Sequence, residues 1–261
     1  MQEYRIRPMP SELKRKLASK GIELIEEKFK GRKNWLVYSK VSLKKLLDSY
    51  EVEYSYQEVA DTGWETHWMD YLSDGWLTDN YYYVFEDKSF DDDRGLIRIN
   101  PALAFGTGGH ATTQLAAKLL EQVAKNKLVL DIGTGSGILS ILASFCGAKT
   151  IYSFDIDPVA IKNAAENVDL NHCSNIFLWA GSVSSVNHHV RAGLVVANII
   201  SSELIKLHPH VLSLRPKYIV YSGILKKEAS DFMASINLHG YKVDSLIQED
   251  EWCALRLKST E

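Results

Sequence analysis

The stretch Leu128-Val129-Leu130-Asp131-Ile132-Gly133-Thr134-Gly135-Ser136-Gly137-Ile138-Leu139, with Thr150-Ile151-Tyr152-Ser153-Phe154-Asp155 after it, decides the fold. An apolar run of strand length leads directly into a glycine-rich turn, and SGILSILASFCGA then continues with the spacing of a buried helix. Glycines permit a tight turn and let ligand atoms approach backbone amides. The next apolar strand ends in Asp155, 24 residues beyond Asp131, a place from which an acid commonly bonds the hydroxyls of a ribose.

The same alternation extends in both directions. HATTQLAAKLLEQVA (110–124) and PVAIKNAAENVDLN (158–171) read as helices, the second with Pro158 in its first turn. NIFLWAG (175–181), GLVVANII (193–200) and KYIVYSGI (217–224) read as short strands, with SSELIKLHPHVLSL between the last two as loop and helix material. KKEASDFMASINLHG (226–240) is a last helix, followed by YKVDSLIQ (241–248) and WCALRLK (252–258). Strands that are continuously apolar, alternating with helices, imply a mostly parallel sheet covered on both faces. The final two strands have no helix between them, so one should run antiparallel to the rest.

Two cofactor classes fit a glycine turn with a distal acid. Nicotinamide and flavin dinucleotides place an anionic pyrophosphate on the turn, where Asp131 would be unhelpful, and the glycines at 133, 135 and 137 depart from GxGxxG. S-adenosylmethionine carries an ammonium and a sulfonium, to which a nearby carboxylate is complementary. A methyltransferase is therefore favoured, with Asp131 as a turn cap the plainer alternative. Asn198, in Val195-Val196-Ala197-Asn198-Ile199-Ile200, sits where open α/β sheets bind ligands. Its amide oxygen can accept a hydrogen bond from a substrate amine and orient the lone pair; a helix N-cap role before SSELIKL is the alternative. No side chain declares itself a general base. His110 reads as shaping its loop, and His188 and His189 as exposed loop residues. A methyltransferase of another protein, a nucleic-acid base or a small amine, a cofactor-binding module without turnover, and an oxidoreductase remain open on these residues.

The first 60 residues read differently. EYRIR and VEYSYQEVA resemble strands, IELIEEKF and NWLVYSK a hairpin, and SELKRKLASKG a helix with Ser11 as N-cap. VSLKKLLDSY is a second helix in which Val41, Leu43, Leu46, Leu47 and Tyr50 share a face. Residues 50–90 hold 12 of the 27 aromatics; Trp64, Trp68 and Tyr71, at helical spacing, read as the buried face of a connecting helix rather than a cation cage. With 261 residues, 46% hydrophobic and 24% charged, the chain can build a sizeable core, and disordered and fibrous classes are excluded. No run reaches the roughly 18 to 20 apolar residues of a membrane span, and MQEYRIRPMPSELKRK lacks a signal-peptide core, so a soluble cytoplasmic protein is expected. The three cysteines, Cys146, Cys173 and Cys253, form no CxxC pair, and neither disulfides nor a metal site is expected. Net charge of -3 conceals a gradient: residues 1–50 carry 13 Lys/Arg against 6 Asp/Glu, residues 51–98 carry 3 against 13, and residues 99–261 carry 14 against 14. That last balance argues against an extended basic groove for sequence-specific nucleic-acid binding.

Asn100-Pro101-Ala102-Leu103-Ala104-Phe105-Gly106-Thr107-Gly108-Gly109-His110-Ala111-Thr112-Thr113, then DIGTGSG, Asp155-Ile156-Asp157-Pro158, VVANII and Glu251-Trp252-Cys253 occur in this order. Together with Trp64-Glu65-Thr66-His67-Trp68 they resemble the PrmA family, bacterial methyltransferases of large-subunit ribosomal protein L11, over roughly residues 61–261. The resemblance implies a class I methyltransferase fold, with a mostly parallel seven-stranded sheet containing one antiparallel strand, behind a small N-terminal α+β domain. It implies residues 1–60 for substrate recognition, 61–72 as connector and 73–261 for catalysis. It further implies S-adenosylmethionine as cofactor and trimethylation of lysine side chains and an N-terminal α-amine. Thr113, Gly133, Asp155 and Asn198 match the family's cofactor-contacting places, and Phe105, Thr107, Asp131 and Gly135 complete the expected set. Gly109 and Ala111 stand where the family usually has Thr and Pro, changes expected to loosen the loop over the cofactor.

Overall fold

The computed structural model describes residues 2–18, 22, 24–29, 32–39, 41–50, 52–58, 73–85, 95–100, 108–186 and 190–260. The chain divides into two compact units, Met1–Tyr71 and Leu72–Glu261.

In the first unit, β1 (Gln2–Arg7), α1 (Ser11–Ala18), β2 (Leu24–Phe29), β3 (Arg32–Ser39), α2 (Lys44–Asp48) and β4 (Glu53–Glu58) follow one another. The strands form an antiparallel sheet in the order β2-β3-β1-β4. Tyr4 and Ile6 of β1 pack with Leu13 and Leu17 of α1, Val37 of β3 and Leu43 and Leu47 of the α2 region. The Tyr4 hydroxyl is satisfied inside this core by accepting from the Leu43 amide at 2.9 Å. α2 is shorter than the apolar spacing predicts, and Val41 is 67% exposed. The Ser39 hydroxyl explains this: it accepts from the Val41 amide and donates to the Val41 carbonyl, holding that residue in a turn before the helix starts. The predicted helix carrying Trp64, Trp68 and Tyr71 lies outside the described residues.

The second unit opens with a small sheet, β5 (Gly75–Trp76), β6 (Tyr82–Val84) and β7 (Leu96–Arg98), in that order. Then come α3 (Ala111–Glu121), β8 (Leu128–Ile132), α4 (Ile138–Phe145), β9 (Thr150–Asp155), α5 (Pro158–Leu170), β10 (Ile176–Ala180), β11 (Leu194–Asn198), α6 (Ser201–Ser213), β12 (Tyr218–Leu225), α7 (Ala229–Ser235), β13 (Tyr241–Glu249) and β14 (Trp252–Ser259). The large sheet has seven strands in the order β10-β9-β8-β11-β12-β14-β13. β8 to β12 pair in parallel, and β14 runs antiparallel to both neighbours, as the missing final helix requires.

Continuous apolar strands arise because consecutive side chains enter two different cores. Val129 and Val196 pack with residues of α3 and α4, whereas Leu130, Val195 and Ala197 pack with Leu204 and Val211 of α6 and Phe232 of α7. Full burial of each of these Val, Leu and Phe side chains contributes about 1.5–3 kcal/mol. The chain leaves β8 toward β9 on one side and returns to β11 on the other, so their C-terminal ends diverge into a crevice at the switch in strand order. Among the described residues no helix is long and apolar enough to cross a membrane.

Candidate active site at the switch in strand order

A cavity of about 510 Å³ opens in that crevice and is lined by Gly133, Thr134 and Gly135 after β8, Asp155 at the end of β9 and Asn198 at the end of β11. Its volume is that of an ordinary small-molecule site. Ile132, Ile138, Leu139, Phe154 and Ile156 make its wall largely apolar.

The glycine turn is held from behind. Gly133 has φ +72°, and a Cβ there would stand 2.7 Å from Ile199 Cγ2, so only glycine fits. The amides of Gly133 and Thr134 donate to the Phe154 carbonyl at 2.9 and 3.1 Å, tying the turn to the end of β9. Gly137, at φ +83°, starts α4 against Ala164 of α5, where a Cβ would lie 3.2 Å from the alanine methyl. On the same helix Asn167 donates from Nδ2 to the Ser136 carbonyl at 2.8 Å and accepts at Oδ1 from the Asn100 amide at 2.6 Å. Asn171, one turn on, brackets the Arg98 backbone in the same way. An asparagine stripe along α5 thereby fastens the turn to the segment that leads out of β7.

Asp131 has a place other than the one expected. It is 1% exposed and is not among the residues lining the cavity. Its Oδ2 accepts from the Thr134 and Ser140 hydroxyls at 2.7 and 2.6 Å, and Ser140 also meets Ser153 Oγ at 2.6 Å. Burial raises its pKa from 3.8 to about 6; the two hydroxyl bonds oppose that shift and the Asp155 charge adds to it. Asp131 organises the turn rather than facing a ligand.

The strand-end carboxylate that lines the cavity is Asp155. Oδ2 accepts from the Gly135 amide at 3.1 Å and Oδ1 from the Asp157 amide at 3.0 Å. A dinucleotide pyrophosphate would need the amide that Asp155 already occupies, and would meet a negative charge there. The remaining lone pairs of an acid fixed at a strand end suit ribose hydroxyls. An apolar wall with Asp155 at one end and Asn198 at the other fits an adenosyl sulfonium cofactor, and fits a dinucleotide poorly.

At the other end Asn198 Nδ2 donates to Thr113 Oγ1 at 3.2 Å. Thr113 is wholly buried in the first turns of α3, whose N-cap is His110, with Nδ1 accepting from the Thr112 amide. The ring of His110 packs edge-on to Trp252 at 5.1 Å. Anchoring Nδ2 leaves the Asn198 Oδ1 as the acceptor. Phe105 and Thr107 lie outside the described residues. Gly109, however, has a local reason: the Tyr83 hydroxyl would be 3.3 Å from a Cβ there, tight for any side chain. The ring of Tyr83 also stands 2.9 Å from where Gly108 would carry a Cβ, so Tyr83 of the aromatic run packs against this loop. Ala111 occupies the first position of α3, where a proline is equally admissible.

Sequence reasoning missed two walls of the cavity, Gly181 to Ser184 after β10 and the stripe Glu203, Lys206, Leu207 and His210 on α6. The stripe's spacing of three and four residues is a readable signal that these side chains share one face.

Comparison with known proteins completes the picture. The model of the PrmA family, described as ribosomal protein L11 methyltransferase, matches residues 13–260. Ribosomal protein L11 methyltransferase of Streptococcus pyogenes serotype M49 is 36% identical over 212 residues, covering 78% of this chain and 66% of the relative. The serotype M6 protein of the same name is 35% identical over the same coverage. The chain thus spans just under two thirds of the length of the curated relatives it matches. Among solved structures, a ribosomal protein L11 methylase from Lactobacillus delbrueckii subsp. bulgaricus superposes with a TM-score of 0.65 at 30% identity, over 73% of this chain and 100% of that one. A putative methyltransferase complexed with SAH, at TM-score 0.51, 18% identity and 58% and 50% coverage, shares the fold. With nearly the whole chain under one family model and the switch-point cavity built as described, the chain belongs to the ribosomal protein L11 methyltransferase (PrmA) family.

Proposed function

We propose that this chain is an S-adenosylmethionine-dependent N-methyltransferase acting on lysine ε-amines and the N-terminal α-amine of ribosomal protein L11, to the trimethyl state. The observation that carries the reading is the pairing of two fixed polar groups across one apolar cavity: Asp155 at the end of β9 and Asn198, anchored by Thr113, at the end of β11. S-adenosylmethionine, when bound, supplies an electrophilic methyl group on a sulfonium.

This chain's residues supply position. Asp155 accepts the ribose hydroxyls, and Gly133 and Gly135 let the ligand lie close to the backbone. Asn198 Oδ1 accepts an N–H of the incoming amine, which turns the nitrogen lone pair toward the methyl. Placing a nucleophile in line in this way removes much of the entropic barrier. A lysine amine, with an ordinary pKa of about 10.4, has to be neutral to attack. Entry into an apolar mouth next to a cation lowers that value, and the proton leaves to water. His110 is committed to capping α3 and is assigned no proton transfer.

The small N-terminal sheet, residues 1–60, is assigned to substrate recognition, with 61–72 as connector and 73–261 as the catalytic part. The enzyme works in the cytoplasm, on free L11 or near the ribosome, without a membrane and without sequence-specific nucleic-acid contacts. Incubation with methyl-labelled cofactor and purified L11, followed by mass spectrometry, tests this. Label on lysine and N-terminal amines is expected; label on a different acceptor, with none on L11, overturns the substrate. Asp155→Ala should weaken cofactor binding, and Asn198→Ala should chiefly lower the methylation rate.

A further inference from the structure

The zero net charge of residues 99–261 hides a separation that the sheet produces. At the edge opposite the cavity, six adjacent strands each bring one cation: Lys149 before β9, Lys127 before β8, Arg191 before β11, Lys217 before β12, Lys258 near the end of β14 and Lys242 near the start of β13. With Lys125 and Arg215 in the same loops, eight of the 14 Lys and Arg of this region gather here. The described segments that build the edge, residues 122–127, 146–150, 190–193, 214–218, 237–242 and 257–260, contain no Asp or Glu. Seven acids lie toward the cavity edge instead, Asp155, Asp157, Glu203, Glu228, Glu249, Asp250 and Glu251, while Glu121, which accepts from the Asn80 side-chain amide at 2.6 Å, and Asp169 lie at helix ends toward the basic edge.

The cations are crowded. Backbone bonds tie the ends together, Lys149 N to the Lys127 carbonyl at 2.8 Å and Ser259 N to the Lys217 carbonyl at 2.9 Å. Lys242 is directly cross-strand from Lys258, and Lys258 from Tyr218; like charges in such a pair repel. The Nζ atoms of Lys127, Lys217 and Lys258 lie 5.5, 5.9 and 5.9 Å from the centre of the Tyr218 ring. Gly193 makes room for one of them, because a Cβ there would stand 2.9 Å from the Lys127 chain. Asp244, the nearby acid on β13, is bonded to Arg256 at 2.6 Å and does not neutralise the row.

We infer that this row is a docking edge for the phosphate backbone of RNA, bound without reading its sequence. Strands about 4.8 Å apart make six cations a strip of roughly 24 Å, the rise of about seven nucleotides at 3.4 Å each. A lipid surface is the poorer fit, because none of the large exposed apolar side chains falls in the segments named above. The inference is independent of which amine is methylated.

Anisotropy of a fluorescein-labelled 20-nucleotide RNA, measured at 50 and 200 mM salt, tests it. Six single-strand contacts give a slope of about -4 in log K against log salt, so affinity should fall by about 300-fold over that range. Residues 1–50 have a positive excess of their own, so wild-type binding alone does not decide. The deciding comparison is Lys149→Gln/Lys217→Gln against Lys226→Gln/Lys227→Gln, an equal charge change on exposed lysines toward the other edge. The first pair should reduce the slope by about 1.4 and leave L11 methylation intact; the second should leave the slope unchanged. Equal loss in both pairs, no RNA binding at 50 mM salt, or equally good competition by polyglutamate or anionic vesicles would overturn the inference. Loss of methylation with RNA binding preserved would strike at the proposed function instead.

Discussion

Replacing Asp131 by Asn should stabilise the protein progressively as pH rises from acid to neutral, although the aspartate makes two short hydrogen bonds. Asp131 is 1% exposed, and burial lifts its pKa from 3.8 to about 6 against the pull of the Thr134 and Ser140 hydroxyls. Between those values the native state holds a proton that the unfolded chain has released. Unfolding free energy then falls with pH by about 1.4 kcal/mol per unit, to a total of about 3 kcal/mol. The contribution is fully present below pH 3.8 and gone above pH 6. Asparagine cannot ionise, so the variant lacks this slope; it keeps one acceptor for a hydroxyl, which sets a constant offset but no pH dependence. Urea unfolding of both proteins from pH 4.5 to 8, followed by tryptophan fluorescence, measures the difference. Over that window the variant should gain about 2 kcal/mol relative to wild type. A difference that stays flat, or one in which wild type gains as pH rises, would refute the claim that burial governs this carboxyl.

Gly133→Ala should cost about 1–2 kcal/mol from its left-handed backbone alone, plus the clash with Ile199, and calorimetry should show weaker cofactor binding; Ile199→Ala should restore only the clash part. Thr113→Val frees the Asn198 amide at a loss of about 1 kcal/mol, and steady-state assays should show kcat reduced roughly fivefold with a smaller change in cofactor affinity. His208 is buried and neutral, donating from Nε2 to the Asn237 carbonyl and accepting at Nδ1 from the Tyr221 hydroxyl. Burial lowers its pKa below 6.5, so its stabilisation is complete above that pH and is lost as pH falls through the native value. His208→Gln should flatten the acid side of a plot of thermal midpoint against pH.

Periodicity and turn chemistry made most of the second unit readable: strand ends at Gly133, Asp155 and Asn198 follow from apolar runs meeting glycines and polar residues. That one of the last two strands runs antiparallel followed from a missing helix; that it is β14 was decided by the pairing with β12. What escaped was position along the strand. Asp131 and Asp155 look alike as acids at strand ends, yet Asp131 lies within β8, in register with Ser153 and covered by Thr134 and Ser140, whereas Asp155 stands two residues farther along the same face, at the last position of β9, and lines the cavity. The wall from α6 escaped for a related reason, since helical spacing names a face but not its neighbour. In the first unit, the Ser39 hydroxyl overrode the helical spacing that included Val41.

The sequence alone therefore determined the order of elements, the glycine turn and the chemical types available at the site, all of which depend on neighbours a few residues apart. Tertiary structure decided which acid lines the cavity, what anchors Asn198, and where the charges go. A chain segment with 14 cations and 14 anions is neutral as a sum. Only the sheet, which sends the starts of its parallel strands and the end of the antiparallel β14 to one edge, turns that sum into a basic edge and an acidic mouth.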